Sequence, residues 1–256
     1  MNKNHKALES GTEFVPPVAH LPSSRARNTL SRIPSPRTNL RFKQLTIYYE
    51  ARGIKLDDGF MNKLELLTPE GKPNFAAYLL ADENAVSFQL AKYAGTDRAD
   101  LVQSRDYGRC SLVKAAKFIL DRIDVENITF TKIGFPLRQE REMIDTRAIT
   151  EAVINSVLHN DYSDGGAPKV ELFSDRVEVT SMGGLPVGIE EQDFFNGYSV
   201  PRNRELMRVF RDLEIANHLG VGIPRILTAY GRDAFEVQKN CIRVTMPYAS
   251  RERTPI

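Results

Sequence analysis

Apolar positions along the chain change their period several times, and each change marks an element. Phe42, Leu45, Tyr48 and Tyr49 recur at helical spacing, with Gly53 as a stop, which predicts a helix opening the ordered part near Leu40. A second short helix is expected over 57–67, closed by the turn Thr68-Pro-Glu-Gly71. The run Phe75-Ala-Ala-Tyr-Leu-Leu80 predicts a buried helix. Residues 86–93 alternate, with Val86, Phe88 and Leu90 on one side, as a strand does. Over 112–123, Leu112, Val113, Ala116, Ile119, Leu120 and Ile123 form an amphipathic helical stripe. Strand spacing returns over 128–135, and Pro136 marks an expected lobe boundary.

The second half predicts a helix over 147–160. Strands follow over 169–173 and 176–180, joined at Ser174-Asp175 in the manner of a hairpin. Helices are expected over 203–213 and 224–230, then a last hairpin from 235–238 and 242–246. Strands and helices grouped in this way specify an α+β fold built as a two-layer sandwich. The expected organisation is a tail over 1–39, a smaller α/β lobe over 40–135, a main domain over 136–248, and a tail over 249–256.

Composition narrows the class. With 256 residues, 41% hydrophobic and 27% charged, the chain has the make-up of a globular protein. No run approaches the ~18 apolar residues of a membrane helix, and no apolar leader follows the first lysines. Cys110 and Cys241 lie far apart, which suits reduced thiols and a cytoplasmic location, and the four histidines show no metal-ligand spacing. Net charge is +2, but Lys3, Lys6, Arg25, Arg27, Arg32 and Arg37 against Glu9 and Glu13 leave residues 1–39 at +4. That Pro-, Ser- and Arg-rich tail has too little apolar surface to fold, and it suits a solvated linker or phosphate contact.

Candidate chemistry concentrates on the 147–160 helix. Glu151, Asn155 and His159 stand at i, i+4 and i+8, so they share one face. Near a nucleotide, an amide oxygen can hold Mg²⁺ and a carboxylate can orient or deprotonate a water. Alone, the same spacing also describes a solvated polar stripe. Two glycine turns add to it. Ser181-Met-Gly183-Gly184 follows a strand, and Gly220-Val-Gly222-Ile-Pro224-Arg225 precedes a helix whose N-terminus suits an anion. Neither a Rossmann fingerprint nor a P-loop is present.

Taken in order, Glu151-x-x-x-Asn155-x-x-x-His159-Asn-Asp-Tyr162, the segment Asp175 to Pro186, Pro201-Arg-Asn203 and Gly220-x-Gly222-x-x-Arg225 resemble one family. It is the family of predicted transcriptional regulators that pair a Schlafen AlbA-type domain with a C-terminal histidine-kinase-like (Bergerat, GHKL) ATPase domain, often labelled RecG-like. The resemblance runs from about Leu40 to Tyr248 and implies a Bergerat-type sandwich that binds ATP and Mg²⁺. It implies Glu151 as water-orienting base and Asn155 as magnesium ligand. It further implies that His159, Ser181, Gly183, Gly184, Gly220, Gly222 and Arg225 bind the nucleotide. Ser181 stands where true Bergerat ATPases have Asp, and Asn160 where the family usually has Arg, so weak or absent hydrolysis is expected. Gly184 to Gly220 would be the mobile region.

Expected partners are ATP, a second copy of the chain, and DNA reached through the basic tail or a partner domain; a membrane is not among them. No AlbA-type segment is evident in 1–39 and no room remains for a winged helix, as in a shortened member or a truncated one. Two alternatives stand beside this. One is a DNA-binding module using helices within 203–232, with Arg202, Arg204, Arg208, Arg211 and Arg225 supplying charge. The other is a scaffold of the same fold that has lost its ligand.

Overall fold

The computed structural model describes residues 30–132, 139–163, 165–186, 188–198, 200–216 and 222–249. It opens on a 3-10 turn, Leu30–Arg32, whose Leu30 joins Ile33 in the main core. Ser35 N donates to Pro73 O at 2.8 Å and Phe75 N to Ile33 O at 2.7 Å, fixing the stretch. Packing is thus already present at Leu30 and Ile33, before the Leu40 start expected from composition, because two apolar side chains anchor an otherwise polar segment. Residues 1–29 and 250–256 of the expected tails lie outside the described residues.

Three helices follow: α1 (Lys43–Glu50), α2 (Phe60–Lys63) and α3 (Phe75–Leu80). α2 is much shorter than the 57–67 span, since Glu65 adopts φ 58 and ends the helix between buried Leu64 and Leu66. α3 starts where Asn74 accepts a hydrogen bond from Ala77 N at 3.0 Å, and all its residues are buried. β1 (Gln89–Tyr93) is followed by β2 (Leu101–Asp106), a strand the sequence pattern does not announce. Helix α4 (Leu112–Glu126) buries the predicted stripe, and β3 (Thr129–Lys132) pairs with β4 (Gln139–Glu142) in a small separate hairpin.

Helix α5 (Thr146–His159) begins at Asp145, whose carboxylate accepts from Ala148 N at 2.8 Å. The rest runs β5 (Lys169–Leu172), β6 (Arg176–Met182), α6 (Glu191–Phe195), α7 (Arg204–Asp212), α8 (Gly222–Tyr230), β7 (Phe235–Val237) and β8 (Cys241–Pro247). Six strands form one mixed sheet in the order β2-β1-β5-β6-β8-β7. Only β1 and β5 pair in parallel, and α4 and α5 lie in the long crossover between them.

Register explains the layering. Leu90, Val170, Val179, Val244 and Phe235 are paired in one row across five strands, with Leu172, Val177 and Met246 in the next. α5 packs against β6, and also against α4, α7 and α8. Sheet and helices thus make the expected α+β two-layer sandwich. Segments on both sides of Pro136 contribute strands to this sheet and residues to the core. Pro136 itself, with 133–138, lies outside the described residues.

Candidate functional site

A cavity of about 140 Å³ opens between the apolar side of the sheet and the helices α5, α7 and α8. Its floor is Val179 and Ser181 of β6 with Ile242 and Val244 of β8, where alternation turns every second side chain toward the helices. Glu151, Asn155 and His159 of α5 form one wall, which is the face their spacing defines. Leu185, Pro186, Ile189, Phe194 and Tyr198, around α6, supply a largely apolar wall opposite. The setting is mostly apolar with a few converging polar groups, the general character of a small-molecule site.

The glycine turn after β6 meets the end of α5. Gly183 has φ +84, and a Cβ there would lie 2.9 Å from Asp161 and 3.0 Å from Arg202 Nη2, so backbone freedom and close approach both require glycine. Gly183 N donates to Asn240 O, and Asp161 N to Met182 O. Gly184 lines the cavity, and its carbonyl accepts from Arg202 Nη2 at 2.7 Å while Arg202 Nη1 bonds Asp161 Oδ2 at 2.8 Å. One guanidinium therefore clamps the turn to the helix end.

At the other end α8 descends onto α5. A Cβ on Gly222 would stand 2.7 Å from Glu151 Oε2 and 2.8 Å from Asn155 Nδ2, leaving space only for hydrogen. Arg225, one turn on, pairs with Glu151 at 2.6 Å. Glu151 is thereby engaged by a cation as well as facing the cavity. Gly220 lies outside the described residues.

His159 is partly buried, and desolvation, then the nearby Arg202 charge, hold its imidazole down to about 4. It is neutral near neutral pH. Ser181 is buried, its hydroxyl 3.5 Å from Ile242 O. Among the described residues, then, Glu151, Asn155, His159, Ser181, Gly184 and Gly222 share one cavity, with Gly183 and Arg225 bracketing it.

Several supporting residues were not singled out by sequence as site residues. Asn203 is buried and its Nδ2 donates to Leu158 O at 3.0 Å and Asn160 O at 2.9 Å, closing the end of α5. Asn160, fully buried, accepts from Met182 N at 2.8 Å and donates to Gly166 O at 2.9 Å. Arg211 of α7 also lines the cavity, where its spacing from Met207 in an amphipathic helix was the available signal. Of the arginines a helix-turn-helix would offer to DNA, Arg202, Arg208 and Arg225 pair with carboxylates and Arg211 faces the cavity. Among the described residues no helix is long and apolar enough to cross a membrane, and no cluster of three metal-binding side chains occurs.

Residues 165–243 match the family model described as "Putative ATP-dependent DNA helicase recG C-terminal". The match includes Ser181, both glycine turns and Arg225, and begins after α5. No curated protein matches the chain. Among solved structures, the DIP2311 protein from Corynebacterium diphtheriae is similar in fold, with a TM-score of 0.70 and 18% identity. The similarity covers 86% of this chain and 47% of that one, so this chain spans about half of its length.

Proposed function

We propose that the chain is an ATP-binding regulatory module, serving in transcriptional control, with weak or no hydrolysis. The carrying observation is that the Gly183-Gly184 bend and Gly222, at the start of α8, both meet the polar stripe of α5 across a single cavity. The ATP-dependent description of the matched family supports the choice of nucleotide. Adenine is assigned to the apolar floor beside Ser181, and phosphates to the end where α8 begins, since helix N-termini attract anions. Regulation of transcription follows from the resemblance of the motif set to that family of regulators.

Asn155 and Glu151 suit a magnesium ion, which takes one or two protein ligands and completes its shell with water and phosphate. Gly222 lies against the ends of both side chains, which a Cβ would crowd. When bound, the ion would offset phosphate charge. Asn155 would hold it through its carboxamide oxygen. Glu151 would orient a water, but Arg225 occupies one carboxylate oxygen, which opposes proton removal from that water. Slow turnover follows.

Isothermal titration of Mg²⁺-ATP into wild type and Asn155→Ala tests the proposal. Wild type should bind, and the variant should bind about tenfold or more weakly, a loss of about 1.4 kcal/mol or more. Equal affinity in the two, or binding in neither, rejects it.

A further inference from the structure

Charges around the cavity do not cancel. Glu151 is matched by Arg225, and Arg202 by Asp161. Arg211, near the end of α7, is different. No described carboxylate forms an ion pair with it, and its Nε, like that of Arg202, is buried without a hydrogen-bond partner among the described residues. Neighbouring acids are engaged elsewhere: Asp212 accepts from Tyr49 Oη at 2.9 Å, and Glu214 pairs with Arg52 at 2.6 Å. Glu205 is buried on a different face of α7. A guanidinium Nε–H shielded from water without an acceptor is costly, unless a ligand supplies the acceptor.

We infer that Arg211 receives the phosphate groups of the ligand in this cavity and so makes the site select nucleotides over nucleosides. This rests on the nucleotide site proposed above and names the residue that sets its selectivity. Chemistry favours phosphate: the flat fork of a guanidinium matches two phosphate oxygens at once. With Glu151 and Arg202 already paired, Arg211 carries the surplus positive charge of the lining, and an anion is the ligand class that neutralises it. A nucleoside would leave that charge unanswered.

Titrations with adenosine, ADP, ATP and inorganic tripolyphosphate into wild type, Arg211→Met and Arg211→Lys test this. Arg211→Met should weaken ADP and ATP about tenfold or more, leave adenosine within about twofold, and abolish tripolyphosphate binding. Arg211→Lys should restore part of the loss, since it keeps the charge without the fork. Unchanged ATP affinity, or equal weakening of adenosine and ATP, overturns the role of Arg211 and leaves the nucleotide site standing. Tripolyphosphate binding that needs Arg211, with ATP and ADP binding no tighter than tripolyphosphate in wild type, upholds the anion site and overturns the nucleotide proposal. Binding of none of the four ligands overturns both. Melting curves accompany each variant, and Arg211→Gln replaces any variant that fails to fold.

Discussion

At Gly222 the missing side chain lets α8 come down on α5, because any Cβ would press on Glu151 and Asn155 together. Gly222→Ala should therefore push the ends of these two flexible side chains aside, costing about 1 kcal/mol of stability or less. It should also weaken Mg²⁺-ATP, and urea unfolding with titration of the same sample measures both. A stable variant with unchanged binding would show that α8 has room to shift. His159 gives a pH signature. Its folded pKa lies near 4 against an ordinary 6.5. Between those values the unfolded chain takes up a proton that the folded state refuses, so stability falls as pH drops through that window. His159→Gln should flatten this part of the profile, and a variant curve parallel to wild type would refute the assignment. At this scale Glu151, Asn155 and His159 were legible, since i, i+4 spacing needs only helix geometry. Arg211 was not, because one arginine among many looks alike until its neighbours are known.

Helix α5 is held at both ends by single polar side chains. Asp145 caps its start and Asn203, from the loop before α7, satisfies the carbonyls of Leu158 and Asn160 at its end. Asn203→Ala would leave these buried carbonyls without that donor and should destabilise the protein by about 1–3 kcal/mol, read by guanidinium unfolding. A loss as small as that of an exposed-site alanine would mean that α5 is anchored otherwise. The loop Pro201-Arg-Asn203 thus works as a fastener: Asn203 locks the helix and Arg202 locks the glycine turn. Elements with a strong internal period, α4 and α5, were legible in the sequence. β2 was not, because it is an edge strand with Leu101 and Val102 exposed, held by backbone pairing to β1. α6 also escaped, being a short helix with no buried residue.

Across the whole molecule, the side of the sheet away from the cavity carries charge. Glu171 and Glu178 face each other across β5 and β6, and both are buried. Arg98, on the loop between β1 and β2, bonds both carboxylates at 2.7–3.0 Å, with Lys169, Arg176 and Arg243 adding further pairs. Burial alone would raise Glu171, but hydrogen bonds from Arg98 and Lys169 prevail and hold it below its ordinary value. Its pairing therefore stabilises fully above the ordinary carboxylate pKa and is lost as pH falls through the lowered one. Arg98→Met should cost about 1–3 kcal/mol near neutral pH, less than a fully buried pair because Arg98 is half exposed and screened. The deficit should shrink in acid. A pH-independent deficit in calorimetric melts would assign the effect to packing. Because Arg98 reaches from the first half of the chain to strands of the second, the variant also probes how the halves are joined.

What the chain determines by itself is local: hydrophobic period, caps and turn residues set the helices, most strands and the α+β class, since those depend on near neighbours. Distance in sequence hides the rest. That β1 would pair beside β5, that Gly222 would rest on Glu151 and Asn155, and that Arg225 and Asp161 would each take a partner far along the chain follow from packing the layers. Which charge is left over in a cavity is a property of all the pairs around it, and only the tertiary structure forms those pairs.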